Sequence, residues 1–100
     1  MEISIIEKDG KSLVTVKGRI DTTTADQFSA GLEPLMTVDK PQIEIDCSEL
    51  VYISSLGLRA ILKLQKSVGA RGGSLVMTGM SHEVREIFDL TGFSTIIKIV

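Results

Sequence analysis

The chain has little of what catalysis or metal binding usually requires. Among its 100 residues there is one cysteine, Cys47, and one histidine, His82. A lone cysteine excludes an intrachain disulfide. Cys47 has no histidine or second cysteine close by in sequence, so it reads as a small buried hydrophobe. His82 has no companions at ligand spacing and falls in an expected first helical turn, which argues against both a metal site and a Cys–His pair. No apolar run approaches the roughly 18 residues that span a bilayer. The opening Met1-Glu2-Ile3-Ser4 has neither the basic start nor the apolar core of a secretory signal. These absences point to the cytoplasm and against membrane insertion. An excess of basic residues is also lacking. The formal net charge is -2 at pH 7, and no Lys/Arg cluster suggests a phosphate-backbone footprint, so nucleic acid is not the expected partner. Lys63, Lys66 and Arg71 read as a solvated helix face.

Motifs that hold cofactors are missing too. There is no Walker loop, no Gly-x-Gly-x-x-Gly, no Gly-x-Ser-x-Gly elbow and no cysteine pair spaced for zinc. Gly69-Ala70-Arg71-Gly72-Gly73 is glycine-rich but follows a helix, so it reads as a turn. The carboxylates are scattered. The expectation is a protein that is not an enzyme and needs no cofactor or metal.

What is present is a regular alternation of elements. Ile3, Ile5 and Leu13-Val14-Thr15-Val16 read as two strands with an Asp9-Gly10 turn between them. Thr22-Thr23-Thr24 opens a helix, Thr24 with Gln27 matches a capping box, and Ala25, Phe28, Leu32 and Leu35 supply its apolar face. Ile43, Ile45 and Cys47 alternate with Glu44 and Asp46 as a third strand. Leu58, Ile61, Leu62 and Val68 recur at helical spacing until Gly72-Gly73. Leu75-Val76-Met77 is a short strand. Ser81 caps a helix striped by Val84, Ile87 and Phe88, and Ile96–Val100 reads as the last strand. The order β-β-α-β-α-β-α-β predicts one α/β domain over residues 1–100, with a mostly parallel mixed sheet after an opening hairpin.

Ligand sites in such sheets favour loops at the carboxyl ends of strands. Two junctions qualify, Gly18 to Thr24 and Ser48 to Gly57. If neighbouring strands carry them, Asp21 and Ser54-Ser55 share one edge of the domain. Ser54-Ser55-Leu56-Gly57-Leu58-Arg59 is the most informative stretch. A serine at a helix start is either an N-cap or a phosphate acceptor, and the apolar residues around it suit a reversible protein contact.

Several segments, in order, resemble the STAS domain family, and within it the small stand-alone bacterial anti-sigma factor antagonists. They are Gly18-Arg19-Ile20-Asp21 with Thr24-Ala25, then Ile43 to Leu50, then Ser54-Ser55-Leu56-Gly57-Leu58. Gly72-Gly73 before a strand and Val84 to Gly92 complete the pattern, which spans nearly the whole chain. The resemblance implies a partner-switching protein that binds an anti-sigma factor serine kinase and frees a sigma factor. The kinase, which brings the ATP, phosphorylates a serine at the start of the second helix and so releases the domain. A serine phosphatase resets it. Matching the family's Asp-Ser-(Ser/Thr)-Gly-Leu to Gly57-Leu58 makes Ser55 the acceptor. The family's strand-end aspartate falls on Asp21, and its acidic or amide position ending the third strand falls on Asp46. The implied contact surface is Asp21, Thr22, Asp46, Ser54, Leu56, Gly57, Leu58 and Arg59.

One departure stands out. The family usually has Asp before the acceptor, where this chain has Ser54, and the following hydroxyl position is Leu56. Ser54 is therefore the alternative acceptor. A scaffold subunit of a transport or sensory complex that binds without being phosphorylated is the second reading. A small-molecule site beside Asp21 is the third, motivated by loop geometry alone.

Overall fold

Two strands joined by two residues begin the chain. β1 (Glu2–Lys8) and β2 (Lys11–Ile20) pair antiparallel, with Lys8 opposite Lys11. In the computed structural model, which describes residues 1–100, Asp9 and Gly10 have φ of 53° and 77°. Two successive positive φ angles are what a type I′ hairpin turn needs, and Asp-Gly adopts them at small cost. The rest of the chain is α1 (Ala25–Leu32), β3 (Gln42–Ile53), α2 (Ser55–Ala70), β4 (Ser74–Thr78), α3 (His82–Leu90) and β5 (Lys98–Ile99).

The sheet order is β1-β2-β3-β4-β5, and every pair after the hairpin is parallel. Each crossover thus steps one strand in the same direction. Right-handed crossovers taken in one direction put all three helices on the same face of the sheet. Burial follows that geometry. Val14, Ile45 and Met77 lie side by side in register and are buried under the helices. Their neighbours Leu13 and Glu44 point to the open face and are exposed. From the helices, Phe28, Leu32, Leu58, Ile61, Leu64, Val68, Val84 and Phe88 complete one continuous core. Phe28 and Phe88 are almost wholly buried, each worth about 1.5–3 kcal/mol of transfer free energy.

Three elements differ in extent from the sequence expectation. α1 stops at Leu32, and Leu35 packs into the core from a 3₁₀ turn over Glu33–Thr37 instead. Pro34 explains the change, because it cannot donate the hydrogen bond that would continue the helix. β3 runs six residues past Cys47, to Ile53. Two register shifts against β2, between Thr15 and Lys17 and between Gly18 and Arg19, each admit an extra residue in β3. Buried positions then fall at Cys47, Leu50 and Ile53, a spacing of three that hides the strand from a search for alternation. β5 is only Lys98–Ile99, because Phe93–Thr95 forms a 3₁₀ turn that draws Ile96 and Ile97 out of the sheet.

Candidate functional site

The parallel pairing of β2 with β3 brings the two expected junctions together. Ile20 pairs with Ile53, and the Ser54 N–H donates to the Ile20 carbonyl at 2.7 Å. Asp21 and Ser54-Ser55 therefore leave the same edge of the sheet on adjacent strands, as the topology required.

At this edge the serine motif divides by helical period. Ser54 is the N-cap of α2, with extended backbone (φ -85°, ψ 172°). Its Oγ accepts the Gly57 N–H at 3.3 Å, and its carbonyl accepts the Leu58 N–H at 2.9 Å. Ser54 is 7% exposed and Leu58 is 3% exposed. Gly57 packs between β2 and β3, where a Cβ would lie 2.7 Å from both Ile20 Cγ2 and Ile53 Cγ1. Ser55 and Arg59 are exposed, as is Leu56 at 42%. Ser54, Gly57 and Leu58 thus anchor the helix start, while Ser55, Leu56 and Arg59 face outward. Leu58 is a core residue and not part of the exposed face that the resemblance implied.

Asp21 is held by its own loop. Its Oδ1 accepts the Thr23 N–H at 2.9 Å and the Thr23 hydroxyl at 2.7 Å. The Thr23 hydrogen bonds lead in keeping the Asp21 carboxyl below its ordinary value of 3.8. Thr24 does not form the expected capping box, since its side chain caps no helical N–H. Its hydroxyl instead donates to the Arg19 carbonyl and accepts the Asp21 N–H, both at 2.9 Å. The first turn of α1 is closed by the Asp21 carbonyl, which accepts the Ala25 N–H at 2.9 Å. Thr22 is exposed at the tip of this loop.

Asp46 does not join the site. It lies seven residues before the end of β3, roughly 20 Å of strand away. It pairs in register with Thr15 and Thr78 on the face opposite the helices. Its Oδ1 accepts the Ser48 N–H at 2.9 Å, and Ser48 holds its carboxyl below the ordinary range. Asp46 ends the third strand only if that strand stops near Cys47, which it does not.

A feature that sequence alone did not suggest flanks the site. The Arg19 guanidinium lies 4.7 Å from the centroid of the Tyr52 ring, joining the last turns of β2 and β3. At exposed positions such a contact contributes about 0.5–1 kcal/mol. Only the in-register pairing of Arg19 with Tyr52 reveals it. Cys47 is fully buried, and burial first, the Asp46 charge second, push its thiol up to about 12. His82 is exposed on α3, 3.8 Å from Glu86.

The charges of α2 are one-sided. Ser55–Ala70 contains Arg59, Lys63 and Lys66 and no acidic residue. Arg59 and Lys63 are four apart, and Lys63 and Lys66 three apart, so like charges are neighbours on the helix surface. Such pairs cost about 0.2–0.5 kcal/mol each. The three ion pairs of the molecule are Lys17–Glu49, His82–Glu86 and Arg85–Asp89, and none relieves these cations. Arg71, grouped with them by sequence, is committed elsewhere and donates to the Val38 carbonyl at 3.0 Å.

Comparison with known proteins agrees with the fold. The family model for the STAS domain matches residues 2–100. The chain belongs to the STAS domain family. It is 33% identical over 100 residues to the anti-sigma-B factor antagonist of Listeria monocytogenes, covering 99% of this chain and 88% of that protein. Among solved structures it is similar to an anti-sigma factor antagonist from Mycobacterium paratuberculosis, with TM-score 0.86 and 24% identity over 98% of this chain and 83% of that one. It is also similar to the Bacillus cell fate determinant SpoIIAA in its phosphorylated form, with TM-score 0.73 and 16% identity over 99% of this chain and 91% of that one. At these identities the two structures speak to the fold. No helix is long and apolar enough to cross a membrane.

Proposed function

We propose that this STAS domain is an anti-sigma factor antagonist, a regulatory binding protein and not an enzyme. It docks on an anti-sigma factor that is also a serine kinase, frees the sigma factor and so controls transcription. Phosphorylation of Ser55 by that kinase, which supplies the ATP, releases the domain, and a serine phosphatase restores it. The cytoplasm is where such an exchange takes place. The observation that carries the reading is the division of the two serines. Ser55 is exposed beside exposed Leu56, while Ser54 is buried and engaged as the N-cap. The similarity over nearly the whole chain to the anti-sigma-B factor antagonist of Listeria monocytogenes supports it.

The physical basis is charge placed in a partly apolar contact. Asp21, Thr22, Leu56 and Arg59 form the contact face with Ser55. Ser54, Gly57 and Leu58 support it from beneath, and Asp46 acts at a distance by ordering the bulged half of β3. A phosphoserine carries about -1.5 to -2 charges at neutral pH. Burying that charge without a counter-charge costs several kcal/mol. At about 1.4 kcal/mol per tenfold, a few kcal/mol lowers affinity by a hundredfold or more. The unmodified serine carries no such penalty.

Incubation with an anti-sigma factor serine kinase from the same genome and ATP, followed by peptide mass spectrometry, tests the reading. A single phosphate on Ser55 is expected. Phosphate on Ser54, or none, contradicts it, and recovery of the protein in a stable membrane complex without phosphorylation would favour the scaffold reading instead.

A further inference from the structure

We infer that the exposed stripe of α2 running from Leu56 through Arg59, Lys63 and Lys66 is a docking surface for an acidic face of the anti-sigma partner. The inference rests on the reading of α2 as the docking helix.

Spacings of three, four and three residues align these side chains along one edge of the helix. All four are exposed, and the stripe starts beside Ser55, so it continues the proposed contact face. Its composition opposes local stability. Like charges neighbour one another, and the helix has no acidic residue to compensate. None of the three cations has an ion-pair partner. The chain as a whole is net acidic at -2, so this edge is a basic strip on an acidic molecule. Local choices that conflict with the fold mark function, and what removes this conflict is an anionic surface. A protein face rich in Asp and Glu, with an apolar position opposite Leu56, complements all four side chains. Complementarity of this kind acts chiefly on association rate and is screened by salt.

Surface plasmon resonance against the cognate anti-sigma kinase tests this with the full chain. The variants are Lys63→Glu/Lys66→Glu, Lys63→Gln/Lys66→Gln, Lys8→Glu/Lys11→Glu at the opposite end of the sheet, and Ser55→Asp. The expected result is association slowed about tenfold or more by the Glu pair and less by the Gln pair, within twofold of wild type for the Lys8/Lys11 control, with a weaker salt dependence in the Glu pair. Equal association of wild type and the Glu pair, with circular dichroism unchanged, overturns the inference. The Ser55 arm separates the two readings. Loss of binding in Ser55→Asp alone leaves the switch and removes the basic stripe, whereas loss in the Glu pair alone does the reverse. Binding of a DNA or RNA duplex that the Glu pair abolishes would assign the stripe to nucleic acid and also overturn the inference.

Discussion

The Ser54 N–H reaches the Ile20 carbonyl at 2.7 Å. Through that bond the start of α2 is fixed to the residue before Asp21. Two loops far apart in sequence become one edge, and the serine next to Ser54 is presented from a helix end that cannot drift away from the sheet.

The same close approach explains Gly57. A methyl group there would meet Ile20 and Ile53 at 2.7 Å, and both are buried at about 1% exposure. Gly57→Ala is expected to destabilise the domain by about 1–3 kcal/mol, because overpacking outweighs the better helix propensity of alanine. A urea titration reads this as a lower midpoint with unchanged slope. A variant as stable as wild type would mean that α2 does not rest on those two isoleucines.

Ser54 stands where the family resemblance leads one to expect aspartate, and its geometry shows what the position does. It caps α2 through Gly57. Ser54→Ala should cost about 0.5–2 kcal/mol, whereas Ser54→Asp should retain stability, since aspartate caps as well and suits the helix N-terminus. Thermal unfolding of both variants checks the order. An alanine variant that unfolds with the aspartate one would remove the capping role.

Acid should unfold this protein through three hydrogen-bonded carboxylates. Asp21, Asp46 and Asp89 are all held below the ordinary value of 3.8, by hydrogen bonds chiefly from Thr23, Ser48 and Ser94 respectively. Each carboxyl binds its proton less tightly folded than unfolded, so unfolding takes up protons at low pH. The stabilisation is complete above the unfolded value and is lost as pH falls below about 3.8 toward the lower folded values. Urea midpoints measured between pH 7 and pH 2.5 should stay level and then drop below pH 4. Asp46→Asn, which removes the titrating carboxyl, should leave less of that drop, and an unchanged profile would contradict the assignment to Asp46.

Much of this arrangement is legible in the sequence. The Asp9-Gly10 turn, the helical stripes and the Ser81 cap carry their structure in local chemistry. Ser81 does accept the Val84 N–H, at 3.2 Å. The adjacency of Asp21 and Ser54 followed from topology alone. What sequence concealed was non-local. The two extra residues in β3 show only against β2, and they moved Asp46 from a strand end to a strand middle. Thr24 matched a capping pattern, yet its hydroxyl finds the Arg19 carbonyl, a partner that exists only once β2 ends beside it. Leu56 and Leu58 look alike in the motif, and helix orientation against Ile20 and Ile53 decides which is buried. The cation pair of Arg19 with Tyr52 needed the strand register.

The central claim is that a phosphate on Ser55 decides whether this domain binds its partner. Isothermal titration of the anti-sigma kinase with the unmodified protein, and with protein whose phosphate has been mapped to Ser55, tests it most directly. The account predicts affinity at least a hundredfold weaker after phosphorylation. Equal affinity of the two forms would contradict it.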